Sequence, residues 1–217
     1  VYKRQDISMK VTKMHGLGND FVVITDLTGG NTDYTDLAKR LCHRQTGIGA
    51  DGLMVVVASD VADTRMRIIN ADGSEAEMCG NGIRCFAKYA YERGLVAKET
   101  FTIETLAGIM KPTLHIKNGK VEQVTVDMGK PSFASKDIPM VADLPEVMNF
   151  PITVDDVEYK VSSLLMGVPH TEVFVDDVTK VPLLTLGPAI EKHELFPQGT
   201  NVNFCLLYTS DAADDLI

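Results

Sequence analysis

The segment MCGNGIRCFAKYAYERG (Met78–Gly94) predicts a glycine-rich turn that leads directly into a helix. Apolar residues recur after the glycines at helical spacing, and Gly94 stands where a left-handed residue commonly ends a helix. We therefore expect one amphipathic helix that ends near Arg93, with a cysteine just before its first turn. Its apolar stripe consists of Ile83, Phe86, Ala87 and Ala90.

Strand-like runs lie on both sides of this helix, and two shorter helices are predicted at Asp33–His43 and Pro188–His193. The prolines and glycine of Gly129–Pro151 predict a loop and a domain junction. This mixture predicts an α+β protein built in two parts. The predicted strands include Phe21–Asp26, Leu53–Ala58, Thr64–Asn70 and Ile109–Ile116.

Cys79 has the sequence context of a reactive thiol. The first N–H groups of a helix have no partner within the helix and present partial positive charge, which favours a thiolate and can hold a carboxylate. Gly80 and Asn81 would bring backbone N–H groups close to such a ligand. The alternative is that Cys79 is a packed core thiol, and we assign that role to Cys42 and Cys85. The spacing of the cysteines predicts no metal site.

Composition excludes several classes of protein. The chain has 217 residues, of which 45% are apolar and 24% charged, with a net charge of −9. A nucleic-acid partner needs clustered basic residues, so none is expected. The chain has no apolar run of membrane-spanning length, so no membrane partner is expected either. Four cysteines do not form a disulfide framework at this length, and a reducing, cytoplasmic location follows.

The two ends differ in character from the rest of the chain. Val1–Gln5 and Cys205–Ile217 can be back-translated into the two orientations of one transposase adapter used in sequencing libraries. We therefore expect both ends to be non-native, with a natural start at Met9 and a natural gene that continues beyond Phe204.

Several blocks across 9–204 together resemble diaminopimelate epimerase. The resemblance implies two pseudo-symmetric lobes, each a sheet wrapped around a central helix, at 9–126 and 127–204, the second incomplete. It implies a cofactor-independent isomerase that converts LL-2,6-diaminopimelate to the meso form for lysine and peptidoglycan precursors, and a homodimer. The blocks are MHGLGNDF (Met14–Phe21), GIGADGL (Gly47–Leu53), INADGSEAEMCGNGIRC (Ile69–Cys85), MGVPH (Met166–His170) and LGPAIEKHELFPQGTNVNF (Leu186–Phe204).

The resemblance also implies site residues. Cys79 matches one of two cysteines that face the α-carbon from opposite sides, one acting as thiolate base and the other as thiol acid. Gly80 and Asn81 match the backbone donors to the α-carboxylate, and His170 matches a residue that modulates the cysteine pKa values. Three asparagines match residues that hydrogen-bond the substrate, mainly at its distal end. They are Asn19, Asn70 and Asn201.

Three departures from the family pattern affect the expected activity. Gly52 stands where some members have a glutamine, and Val168 replaces a common asparagine, so two polar substrate contacts are missing. The family's Glu-Arg pair and second catalytic cysteine would lie downstream of Phe204, and Cys205 lacks the glycine-rich context of that cysteine. We therefore expect the chain as given to be inactive. The alternatives are a proline racemase-like or phenazine-biosynthesis-like isomerase of the same fold, an inert fragment, or a ligand-binding module.

Overall fold

The computed structural model describes residues 9–207, so the predicted non-native end at residues 1–5 lies outside the described residues, as do 208–217 of the other end. The described chain forms two compact units, the first ending at Asp127 and the second beginning at Met128. The α+β class expected from the sequence is confirmed. The helices are α1 (Thr35–Cys42), α2 (Gly80–Glu92) and α3 (Leu183–Glu191), with a 3₁₀ turn at Val178–Lys180.

Thirteen strands accompany these helices among the described residues. They are β1 (Thr12–Gly16), β2 (Asn19–Thr25), β3 (Gly52–Val57), β4 (Thr64–Asn70), β5 (Glu75–Ala76), β6 (Ile103–Thr105), β7 (Gly108–Met110), β8 (Thr113–Lys117), β9 (Lys120–Thr125), β10 (Val147–Val154), β11 (Val157–Met166), β12 (Val168–Phe174) and β13 (Asn201–Cys205).

The first unit is a seven-stranded sheet in the order β1-β2-β3-β4-β6-β7, with β5 paired to β4. Helix α2 packs on one face of the sheet through Ile83 and Phe86, and α1 packs on the other through Ala38 and Cys42. Every residue of β3 is buried, as expected for a strand that is covered on both faces. The β8–β9 hairpin contributes to the same core as α2, so the helix is enclosed by apolar side chains from two sides.

The second unit is a four-stranded sheet in the order β10-β11-β12-β13. Strands β12 and β13 run parallel, and α3 lies between them in the chain, as a parallel connection requires. One apolar core joins α3 to this sheet, with Ile190 and Val161 fully buried.

Three sequence-based boundaries were wrong. The helix expected at Pro188–His193 is α3, which begins earlier because Leu186 and Ile190, four residues apart, both face the core. The single strand expected at Ile109–Ile116 is two strands, β7 and β8, separated by Lys111 and Pro112. The loop expected to continue to Pro151 ends earlier, since β10 begins at Val147 and carries Pro151 within it.

Candidate active site

Cys79 is the N-cap residue of α2, as the sequence predicts. Its backbone is extended, with φ −145° and ψ 118°, and its Sγ accepts a hydrogen bond from the N–H of Gly82 at 3.4 Å. The Cys79 carbonyl accepts the N–H of Ile83 at 2.8 Å, the first bond of the helix. The half-buried thiol therefore lies at the positive end of the α2 dipole and is bonded to one of its free N–H groups.

Glycine at two positions permits close approach around this thiol. A Cβ on Gly82 would lie 3.1 Å from Ile68 Cδ1 and 3.3 Å from Cys79 Cβ, so the first turn of α2 fits tightly against the sheet. A Cβ on Gly16 would lie 3.0 Å from the carbonyl oxygen of Asn81. The tip of the β1–β2 hairpin therefore adjoins the start of α2, although 65 residues separate them in the chain.

Asn19 is brought to Cys79 by this hairpin. Leu17 and Gly18 have φ values of 54° and 85°, which form the tight turn between β1 and β2. The side-chain carbonyl oxygen of Asn19 then lies 3.5 Å from Cys79 Sγ, and its Nδ2 donates to Asp51 Oδ2 at 2.8 Å. Asn19 and Cys79, two candidate site residues from the sequence analysis, are thus in direct contact.

Asn70 is the last residue of β4, at the same end of the strands as Asn19. Gly52 pairs with Phe21 on one side and with Asn70 on the other, so the start of β2 and the end of β4 flank the start of β3. The Asn70 side chain donates to Ser74 Oγ at 3.0 Å, within the turn that follows β4. The structure therefore places Asn19, Asn70 and Cys79 on segments that meet at one end of the central strands.

Arg84 is a functional candidate that sequence reasoning missed. Its guanidinium donates to the Gly80 carbonyl oxygen at 2.9 Å and to Asn81 Oδ1 at 2.5 Å, and so bridges the two residues expected to hold a carboxylate. Arg84 is the fifth residue of α2, four residues after Gly80, and this spacing was the signal in the sequence that its side chain could reach back to the start of the helix.

The remaining cysteines of the first unit are chemically different from Cys79. Cys42 and Cys85 are both buried in apolar cores, and burial raises the pKa of each thiol. Each of them packs in a core cluster, in agreement with the packing role expected from the sequence.

In the second unit, His170 and Asn201 are neighbours. They are register partners on the parallel strands β12 and β13. Asn201 Nδ2 donates to the Pro169 carbonyl oxygen at 2.9 Å, whereas Asn203 Nδ2 lies 3.5 Å from His170 Nδ1. Asn203 was not identified from the sequence, because only the strand pairing places it beside the histidine.

Cys205 ends β13 and contacts a carboxylate. Its Sγ donates to Glu172 Oε2 at 2.9 Å, and Glu172 Oε1 accepts from Asn203 at 3.0 Å. Burial, and then the hydrogen bond to Glu172, raise the pKa of Cys205 to about 11. This thiol therefore stays protonated at neutral pH.

Two of the three departures from the family pattern, Gly52 and Val168, lie within the described residues. A Cβ on Gly52 would lie 3.1 Å from the Ile69 carbonyl oxygen, so the site admits a side chain there only with a local shift. Val168 begins β12 directly after Gly167, whose φ is 74°, and pairs with Met166 across that turn.

Between residues 9 and 207, no cluster of three or more His, Cys, Asp or Glu side chains could hold a metal ion. In the same part of the chain, no helix combines the length and the apolar character needed to cross a membrane.

Comparison with known proteins identifies close relatives. The family model for diaminopimelate epimerase matches residues 11–134. The chain is similar to the diaminopimelate epimerase of Caldanaerobacter subterraneus subsp. tengcongensis, with 54% identity over 196 residues, 90% of this chain and 71% of that protein. It is also similar to the diaminopimelate epimerase of Moorella thermoacetica, with 51% identity over 197 residues, 90% of this chain and 71% of that protein.

More distant solved structures share the fold. A hydroxyproline epimerase from Agrobacterium vitis matches with a TM-score of 0.61 and 15% identity, over 85% of this chain and 60% of that one. A phenazine biosynthesis protein of the PhzF family from Bacillus anthracis matches with a TM-score of 0.61 and 20% identity, over 94% of this chain and 68% of that one. At these identities the likeness concerns the fold alone.

Proposed function

This chain belongs to the diaminopimelate epimerase family, a family of isomerases, and from that premise we propose that it serves the interconversion of LL- and meso-2,6-diaminopimelate by two-cysteine acid/base chemistry. The single observation that carries the proposal is the geometry of Cys79. Its thiol caps α2, contacts Asn19, and lies beside backbone N–H groups that can hold a carboxylate. We place the reaction in lysine and peptidoglycan precursor synthesis, in the cytoplasm.

The reaction requires the removal of a very weakly acidic α-proton. In the proposed step the Cys79 thiolate takes the proton and becomes a thiol, and the electron pair of the broken C–H bond stays on the α-carbon. A second thiol then delivers a proton to the opposite face and becomes a thiolate. No net oxidation occurs, and the configuration of one carbon is inverted.

Stabilisation of the carbanion falls to fixed dipoles, because the proposed reaction uses no cofactor. Its charge delocalises into the adjoining carboxylate, which we place at the free N–H groups of α2, next to Gly80 and Asn81. Arg84 bridges these two residues and so holds the turn in one geometry before the substrate arrives. Its positive charge also favours an anion at that end of the helix.

The distal amino-acid group of the substrate needs polar partners. We assign this role to Asn19, Asn70 and Asn201, and the modulation of cysteine pKa values to His170. Support for Asn19 and Asn70 comes from their position at the end of the central strands that lies next to Cys79.

None of the other cysteines suits the role of the second acid/base. Cys42 and Cys85 are buried in the core, and Cys205 is bonded to Glu172 with its pKa raised to about 11. A thiol that cannot form a thiolate near neutral pH cannot serve in both directions of an epimerisation. We therefore propose that the 217-residue chain does not epimerise diaminopimelate by itself.

The experiment compares two proteins. One is the chain as given, and the other is a chimera in which residues 9–204 are followed by the remaining C-terminal part of the Caldanaerobacter relative. Each is incubated with LL-diaminopimelate in deuterated water, and chiral chromatography with mass spectrometry measures the meso product and α-deuterium incorporation. Cys79→Ser in the chimera is the matched control.

We expect meso product and deuterium from the chimera only, and neither from its Cys79→Ser variant. A folded chimera without activity would overturn the proposed function. Meso product from the chain as given would instead overturn the requirement for a second cysteine of the family type.

A further inference from the structure

The side-chain amide of Asn19 lies between a carboxylate and the Cys79 thiol. Its nitrogen donates to Asp51 Oδ2 at 2.8 Å, and its oxygen lies 3.5 Å from Cys79 Sγ. An ionised carboxylate only accepts hydrogen bonds, so the group of Asn19 that faces Asp51 must be the NH₂. The carbonyl oxygen is then directed at the sulfur by necessity.

Asp51 is itself held in place. Its Oδ1 accepts from Arg44 at 2.8 Å, and its Oδ2 also accepts the backbone N–H of Asp20 at 3.0 Å. The backbone N–H of Asp51 in turn donates to Asp20 Oδ1 at 3.0 Å. Arg44 bonds Asp20 as well, and this hydrogen bond holds the pKa of the Asp20 carboxyl well below its usual range. These bonds therefore hold Asp20, Arg44 and Asp51 in fixed positions beside Asn19.

The orientation of the amide affects the two protonation states of Cys79 differently. A thiol can donate its S–H to the Asn19 oxygen, whereas a thiolate has no proton to donate and meets the negative end of the carbonyl dipole. The N–H of Gly82 acts in the opposite sense, because it stabilises negative charge on the sulfur.

We infer that Asp51 is a positioning residue that locks the Asn19 carbonyl toward Cys79, and that this lock favours the protonated thiol until a ligand competes for the Asn19 amide. The resting Cys79 then carries its proton, and when a polar ligand binds Asn19 the thiol loses that proton to solvent and becomes the thiolate base. This consequence for turnover rests on the proposed function, whereas the effect on the thiol does not.

Other charged or titratable groups occupy the elements that adjoin Cys79. Arg84 favours the thiolate by its charge, and the buried Cys85 thiol is neutral because burial raises its pKa. The remaining groups are Lys13, His15 and Asp20 on the β1–β2 hairpin, and Glu75 and Glu77 before α2. All of these groups remain unchanged in the variants compared below, so their influence cancels.

The test measures the pH dependence of Cys79 alkylation by iodoacetamide, resolved by peptide mass spectrometry, in the full chain. Four proteins form a double-mutant cycle: wild type, Asp51→Asn, Asn19→Ala and the double variant. Asp51→Asn allows the amide of Asn19 to turn its NH₂ toward the sulfur. Asp51→Ser serves as a second variant, with circular dichroism to verify folding. Asp72→Asn is the charge control, because it removes a carboxylate from the adjoining turn without a bond to Asn19.

We expect Asp51→Asn and Asp51→Ser to lower the apparent pKa of Cys79 by about one pH unit, since a donor replaces an acceptor at the thiolate. In the Asn19→Ala background the same change should shift it by less than about 0.3 unit, as should Asp72→Asn alone. An equal shift with and without Asn19 would mean that the carboxylate charge acts directly, and the inference would be wrong. No shift in either folded Asp51 variant would also overturn it.

The alkylation assay needs neither substrate nor a second cysteine. A failure of the inference therefore leaves the epimerase proposal intact, and an inactive chimera leaves the inference intact.

Discussion

Replacement of Cys79 separates its role in the helix from the catalytic role proposed for it. The Sγ atom accepts the Gly82 N–H at 3.4 Å, and this is the side-chain bond that caps α2. In Cys79→Ala that bond is lost and the N–H group is left without its partner. In Cys79→Ser a hydroxyl replaces the thiol, and serine is among the best N-cap residues.

The expected magnitudes follow from one lost cap. Replacement of a capping residue by alanine costs about 0.5–2 kcal/mol in the free energy of unfolding, and α2 lies against the main core of its unit, so the full cost applies. With a urea m-value of roughly 2 kcal/mol/M, a loss of about 1 kcal/mol lowers the unfolding midpoint by about 0.5 M. Cys79→Ser should shift the midpoint by less than about 0.25 M.

Urea titrations followed by circular dichroism at 222 nm measure both midpoints, and iodoacetamide labelling confirms that each variant lacks the reactive thiol. An alanine variant as stable as wild type would show that the sulfur does not cap the helix. A serine variant as unstable as the alanine variant would show that the sulfur contributes by packing and not by its hydrogen bond.

Three further outcomes are expected. Arg84→Lys keeps the charge but cannot bridge both oxygens, so mass-resolved hydrogen exchange in the first turn of α2 should accelerate about tenfold or more. The Lys98 hydrogen bond lowers the pKa of Asp63 to about 2, so the stabilising contribution of the ionised Asp63 is complete above about pH 4 and disappears as pH falls toward 2. Asp63→Asn should therefore flatten the acid limb of a thermal-stability profile. Burial, and then a hydrogen bond to Asp26, raise the pKa of Tyr34 to about 12, so Tyr34→Phe should remove the absorbance change at 295 nm that one phenol gives near that pH. The variant should also cost stability below pH 10, a contribution that wild type loses only as pH rises through 12.

The start of α2 could be predicted because its signals are local. The glycines, the cysteine and the apolar stripe lie within one segment of sequence, and the structure places Cys79 at the N-cap position as expected. The Asn118-Gly119 turn has equally local signals, and both residues have positive φ.

The supporting residues could not be predicted because their partners are distant in sequence. Asp51 bonds Asn19 across 32 residues, and the significance of that aspartate depends on the pairing of β2 with β3. The boundaries predicted for α3 were wrong for a related reason. Local preference favours Pro188 as a helix start, whereas the burial of Leu186 and Ile190 decides where the helix lies.

A thiol that both caps a helix and transfers a proton must keep its structural bond in both protonation states. The sulfur of Cys79 satisfies this condition, since it accepts the Gly82 N–H as a thiol and accepts it more strongly as a thiolate. The contact with Asn19 differs, because it needs the proton. Proton transfer therefore alters one polar contact of the site and leaves the start of α2 in place. In the proposed epimerisation, Cys79 would therefore change its charge without loosening the helix that positions it.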